Sequence, residues 1–393
     1  MHLNFGITEE WLSAIDSTFM LFSTLGNIIT SPLVDRHQLN YILGLSISLS
    51  SVLYLLTSVI GYFQVTAPWV YLLMIALQGL VQSPIYPACV SSLGHLFPKQ
   101  VIGKAMSLLS TSISFGNFLG AFITGLLILI NFTWMDSMVL YSSLELGIGY
   151  LLYHQISKQY SPVNQKVNSS EESLLHTNQI KKKEPLPLKD ILKVPFLKSV
   201  ILSKMCIKFS YYSLSMWMPY YLSIILQDHA WIGIISGSIE IGGIIGAIFC
   251  GFLSDSLKTR PPLLQIYLII SFPLISLIGL KVFTTPWPLL FLFFFAGFCI
   301  GGCNLILITA VPIDLSQHPS VANYEVIGSI TGILDASGSL GASIGIFFIG
   351  YLISISWFYV FLLLSTAILS ALLILTPYTH YELKLKHNIS IYG

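Results

Sequence analysis

This sequence has little charge: 9% of its 393 residues are Asp, Glu, Lys or Arg, where a soluble domain carries about 25%. With 18 basic residues against 17 acidic ones, no basic surplus exists to meet a polyanion, which excludes nucleic acid as a partner. Cysteine is sparse as well. The five cysteines, Cys89, Cys206, Cys250, Cys299 and Cys303, lie in apolar runs without CxxC spacing, which fits neither a disulfide framework nor a zinc site. No metal site is expected. The opening "MHLNFGITEE" lacks a basic n-region and a cleavage-like site, so no secretory signal peptide is expected. Enzyme signatures are missing too: there is no P-loop and no HExxH, and His154, His176 and His318 sit in polar segments without partners. Neither an enzyme nor a bound cofactor is expected.

What is present is apolar: 54% of the residues are hydrophobic, and they gather into runs long enough to cross a hydrocarbon layer of about 30 Å, which takes roughly 20 residues per helix. Eleven such runs are expected, near 11–31, 40–62, 69–96, 103–130, 134–153, 197–227, 231–254, 263–281, 287–311, 326–353 and 356–376. The expected fold class is an all-α membrane protein lying in a lipid bilayer. Fifteen of the 18 Lys and Arg, among them Arg36, Lys99, Lys104 and the eight lysines from Lys158 to Lys198, fall in loops on one side. The positive-inside rule makes that side cytoplasmic and starts the chain outside. The polar, lysine-rich stretch 154–196 reads as a solvated cytoplasmic linker between five spans in 1–153 and six in 197–376, with 377–393 as a cytoplasmic tail.

The two sets of spans echo one another. Gly26 precedes Asp35 by the same interval as Gly246 precedes Asp255, and the glycines at 116, 120 and 125 repeat at 341, 345 and 350 with a nearly equal offset. Such internal symmetry is common in transporters and implies two related helix bundles. Glycines at this spacing let helices approach closely.

Six charged side chains fall well inside the apolar runs, away from their ends: Lys204, Lys208, Asp16, Glu145, Glu240 and Asp335. Each costs about 2.5 to 3.5 kcal/mol at the bilayer centre and needs a partner, a cavity or a way out. Lys208 lies ten residues beyond Lys198, roughly 15 Å and near the midplane; it is read either as a substrate ligand or as half of an ion pair. Lys204 is closer to the cytoplasm and is expected to bend its stem towards the headgroups. Asp16, Glu240 and Asp335 are candidate charge partners, and Glu145 is expected to be protonated in lipid. Tyr211, Tyr212 and Trp217 offer aromatic faces suited to sugar rings or to packing, and Gln82 and Asn304 suit hydroxyl ligands or interhelical bonds. Asp35 and Arg36, in the first cytoplasmic turn, are read as a gate between bundles or as a surface pair.

Three longer stretches carry a resemblance. "GLVQSPIYPACVSSLGHLF" (79–97), "WIGIISGSIEIGGIIGAIFCGFLSD" (231–255) and "LITAVPIDLSQHPSVANYEVIGSITGILDASGSLGASIG" (307–345) resemble the sugar-phosphate exchangers of solute carrier family 37, within the major facilitator superfamily. The resemblance implies the two-bundle fold of that superfamily and antiport of a sugar phosphate, such as glucose-6-phosphate, against inorganic phosphate, in the endoplasmic reticulum or another endomembrane. It implies that Lys208 matches a membrane lysine of the family, that Asp16, Glu240 and Asp335 match acidic positions, and that Leu109 to Ser112 stand where the family has a Trp-Asn-Ser-His pattern. By the same alignment the chain opens at the family's second helix, so the first is expected to be absent. A second reading is a non-transporting relative that serves as a membrane subunit beside a partner.

Overall fold

In a lipid environment only structures that satisfy their own backbone hydrogen bonds persist, so apolar runs of this length become helices. The computed structural model describes residues 9–34, 39–96, 102–159, 186, 188–226, 229–257, 259–322, 324 and 326–392. Helix α1 spans Glu9–Val34, α2 Leu39–Tyr62, α3 Pro68–Gln82, α4 Ile85–Leu96, α5 Ile102–Leu129 and α6 Trp134–Gln159. Helix α7 spans Leu197–Ile225, α8 His229–Leu257, α9 Pro261–Gly279 and α10 Pro286–Ala296; a π-turn at Gly297–Gly301 joins α10 to α11, Gly302–Ser316, and α12 (Ile327–Ile355) and α13 (Trp357–Tyr392) complete the chain. Proline opens α3, α9 and α10, where its fixed φ suits a first turn and its missing N–H costs nothing.

Taking α3 with α4 and α10 with α11 as bent rods, the helices follow the eleven expected runs. Among the described residues, eight rods are long and apolar enough to cross a membrane by length and composition. The other three are α5, whose apolar part at Thr111–Leu127 is short, α6 with Asp136 and Glu145, and α7 with Lys204 and Lys208. Two ends differ from expectation. Helix α6 continues to Gln159 and α13 to Tyr392, because helical hydrogen bonding carries on into polar sequence where hydropathy stops. The last residues of the expected solvated linker are also packed: Ile191 and Val194 are buried, and Phe196, at φ 64°, stacks on Tyr378 and Tyr381 of α13 at 5.4 and 4.8 Å. These side chains are apolar, and the end of α13 gives them a surface to cover.

The helix contacts show the repeat. Within the first half α1 packs on α3 and α2 on α6; within the second, α8 packs on α10 and α9 on α13. The halves meet along α1 with α12 and α5 with α8. Since the glycine pattern relates α1 to α8 and α5 to α12, these are one contact formed twice about a pseudo-two-fold axis. Gly26 meets Ser83 at the α3–α4 junction, and its counterpart Gly246 meets Phe298 in the π-turn, both too close for a Cβ. The second glycine pattern behaves unequally. Gly341 and Gly345 lie against Met205 and Phe209 of α7, whereas a Cβ at Gly116, Gly120 or Gly125 would meet nothing within 4 Å. The close approach expected of the α5 glycines is therefore corrected: among the described residues their face of the helix is open.

Candidate functional site

Helix α7 carries both membrane lysines. Lys208, eleven residues from the start of α7, sits roughly 17 Å along the axis, close to the bilayer centre. Its ammonium donates to Asp335 Oδ1 at 2.7 Å and Ser339 Oγ at 2.8 Å, and lies 5.3 Å from the centre of the Tyr212 ring. Asp335 and Ser339 are four residues apart on α12, hence on one face. The other Asp335 oxygen accepts from Asn27 Nδ2 at 3.2 Å. Asn27 belongs to α1, so a polar chain runs from the first half through Asp335 to Lys208. Gly338 makes this fit possible: a Cβ there would come within 2.7 Å of Lys208 Cδ and 3.2 Å of Lys204 Cε.

Lys204 does not bend towards the cytoplasm. It is 1% exposed and donates to both the backbone oxygen and Oδ1 of Asn304, each at 2.6 Å. Two acceptors on the neighbouring helix are nearer than the headgroups, and they correct the expectation. Asn304, considered a hydroxyl ligand, has its amide oxygen engaged by this lysine.

Glu240 is also satisfied without a lysine. It accepts from Tyr211 OH at Oε2 and from Ser215 Oγ at Oε1, both at 2.6 Å, while Ser114 of α5 lies 3.4 Å from the same tyrosine oxygen. A charge pair was considered for Glu240; the lysines instead turn to α11 and α12, leaving hydroxyls as its partners. A second polar chain thus crosses between halves, Ser114 to Tyr211 to Glu240, again through α7.

The remaining candidates lie elsewhere. Asp16 is half-buried on α1, one turn from Leu12 and Phe19, both packed on residues of the second half, and makes no hydrogen bond or ion pair among the described residues. Trp217 is buried nine residues beyond Lys208, edge-on to Tyr220 at 6.3 Å, with its indole Nε1 unpartnered among the described residues. Gln82 donates to Ser50 Oγ of α2 at 2.9 Å inside the first half, the interhelical bond that is one of its two readings. Asp35 and Arg36 lie outside the described residues. Sequence reasoning missed Asn27, Ser114, Ser215 and Ser339, short polar residues that membrane helices also use for routine packing. The spacing of Ser339 one turn from Asp335 was the available signal.

Lysine holds phosphate as a point charge with three donors, and Lys208 is the membrane lysine whose partners, one carboxylate and one hydroxyl, an incoming anion could replace. The model of the Major Facilitator Superfamily matches residues 1–324. The glucose-6-phosphate exchanger SLC37A2 of Mus musculus is 27% identical over 410 positions, covering 95% of this chain and 80% of its own. The protein of the same name from Danio rerio is 26% identical, covering 96% and 81%, and sugar phosphate exchanger 3 of Mus musculus is 25% identical, covering 91% and 78%. Matched in sequence over most of its length, and built of two related bundles that meet along equivalent helix pairs, the chain belongs to the major facilitator superfamily.

Proposed function

We propose that the chain is a secondary transporter that exchanges a small organic phosphate, of the glucose-6-phosphate kind, for inorganic phosphate by alternating access. The observation that supports this reading is Lys208: a cation near the midplane, between the halves, neutralised by a carboxylate that is itself tied to the opposite half through Asn27. In the empty state Asp335 neutralises the lysine. A phosphate arriving between the halves takes over Lys208, and Asp335 keeps the Asn27 amide. Breaking one contact of the polar chain and keeping the other changes how the halves are joined, which is what alternating access requires. Tyr212 completes the site as an aromatic wall beside the ammonium. The names of the relatives, exchangers of sugar phosphates, support the substrate class, and the resemblance to them supports an endomembrane, with the endoplasmic reticulum first.

The test is uptake of labelled inorganic phosphate and glucose-6-phosphate into phosphate-loaded proteoliposomes. Wild-type protein is expected to exchange both, and Lys208→Ala to lose at least tenfold in rate. Folded wild-type protein that exchanges neither would overturn the transport reading. That outcome would favour the second reading, a membrane subunit without transport, which the complete pairing of Lys208 with Asp335 supports.

A further inference from the structure

A second polar cluster lies inside the first half, away from α7 and its lysines. Glu145 of α6 is eleven residues past Trp134, roughly 17 Å along the helix and so at the same depth as Lys208. Its Oε1 accepts from Ser50 Oγ of α2 at 2.6 Å. Ser50 in turn accepts from Gln78 Nε2 at 2.6 Å and Gln82 Nε2 at 2.9 Å, both on α3. A serine hydroxyl has one hydrogen to give and two lone pairs, so Ser50 is saturated. The rest of the cluster is not. Gln78 is 2% exposed and its carbonyl oxygen has no hydrogen-bond partner among the described residues. Glu145 accepts only the one bond, and no cation faces it among the described residues.

The shortage is specific. A carboxylate within hydrocarbon lacks a positive partner among the described residues; a proton on Glu145 removes its charge and adds one O–H donor to a cluster that holds an unbonded amide oxygen. No Asp, Glu, Lys, Arg or His occurs in α2 or α3. The titratable groups on the packed elements are Tyr54 of α2, whose hydroxyl stands beside Gln78 and Gln82, and Cys89 and His95 of α4. Tyr41 and Tyr62 of α2, Tyr71 of α3, Tyr86 of α4, Lys104 of α5 and, on α6 itself, Asp136, Tyr141, Tyr150, Tyr153, His154 and Lys158 complete the set. None of these neutralises Glu145 in the described contacts.

We propose that Glu145, with Ser50, Gln78 and Gln82, forms a proton site inside the first half, separate from the anion site on α7. The carboxylate takes one proton from water and releases it again as the acid ionises, while Ser50 holds Glu145 to α3. The proposal does not depend on transport of any substrate, and its test needs none.

The test is infrared spectroscopy of the purified chain in lipid across a pH series, following the carbonyl absorbance of protonated carboxylic acids. Wild-type protein is expected to show a pH-dependent band, and Glu145→Gln to lose the equivalent of one carboxyl group from it while helix content and elution volume stay unchanged. Ser50→Ala keeps the acid and removes its hydroxyl partner; it is expected to move the band's pH midpoint, and it serves as the readout if Glu145→Gln fails to fold. Spectra of Glu145→Gln that superimpose on wild type, or a midpoint unmoved in Ser50→Ala, overturn the proposal. So does a band that sodium chloride abolishes at fixed pH where choline chloride does not, because a metal ion would then hold the site.

Discussion

Lys204 and Lys208 stand one turn apart on the same helix and are satisfied by different means. Lys208 has a carboxylate. Losing one partner of a buried ion pair is costlier than the pair itself is worth, typically about 3 to 5 kcal/mol, because the other charge is stranded. Asp335→Asn is therefore expected to lower thermal stability in detergent, and added phosphate is expected to raise the melting temperature more in that variant than in wild type. Equal shifts would argue that anions do not reach Lys208. Lys204 has only the neutral oxygens of Asn304, and a hydrogen bond from a charged group contributes about 1.5 to 3 kcal/mol. Asn304→Leu should cost about that much in chemical unfolding, and adding Lys204→Met should cost less than the sum of the two single changes, as expected for residues in contact. The charge pattern in the sequence places Lys208 near the midplane but has Lys204 reaching out to the headgroups, which its burial corrects. It could not indicate their partners: Asn304 and Ser339 come from helices a hundred residues or more away and Asn27 from the other half, and hydropathy treats them as interruptions.

At the scale of the element, α1 and α12 are joined along much of their length. Ser13 and Thr24 of α1 donate to the carbonyls of Ile346 and Ala336, while Ser17 and Ser343 donate to each other's backbone oxygens at 2.7 and 2.8 Å. The equivalent pair, α5 with α8, has Phe118 against Gly237 and open glycines. A pseudo-symmetric protein therefore has one zipped seam and one looser one. Bonds of this kind within membranes average about 0.6 kcal/mol each, weak enough singly to part and re-form. The side-chain oxygens of Ser17 and Ser343 are 3.1 Å apart, within reach of a disulfide. Oxidising a Ser17→Cys, Ser343→Cys variant is expected to cross-link the seam and stop phosphate exchange, with recovery on reduction; full exchange by the cross-linked protein would show that this seam does not open. The helices and their order were legible in the sequence, because an apolar run of some twenty residues has few alternatives in lipid. The asymmetry of the seams was not, since the glycine repeat looks the same in α5 and α12 and differs only in what each face meets.

For the whole molecule, the contacts within each half and the helix pairs between them join the two bundles among the described residues. Producing residues 1–159 and 186–393 as separate chains is expected to yield two pieces that purify together; a second half that elutes alone would show that the covalent connection holds the bundles together. The composition of the zipped seam bears on physiology as well. The bonds from Ser13, Ser17, Thr24 and Ser343 run from hydroxyls to carbonyls, so none of these four is screened by salt or pulled by a membrane potential, and the seam's charge at Asp335 is matched by Lys208. Lys208 and Asp335, moving as a neutral couple, add no charge of their own. Any dependence of exchange on voltage would then report the cargo together with the membrane groups outside that couple, Lys204, Glu240 and Glu145.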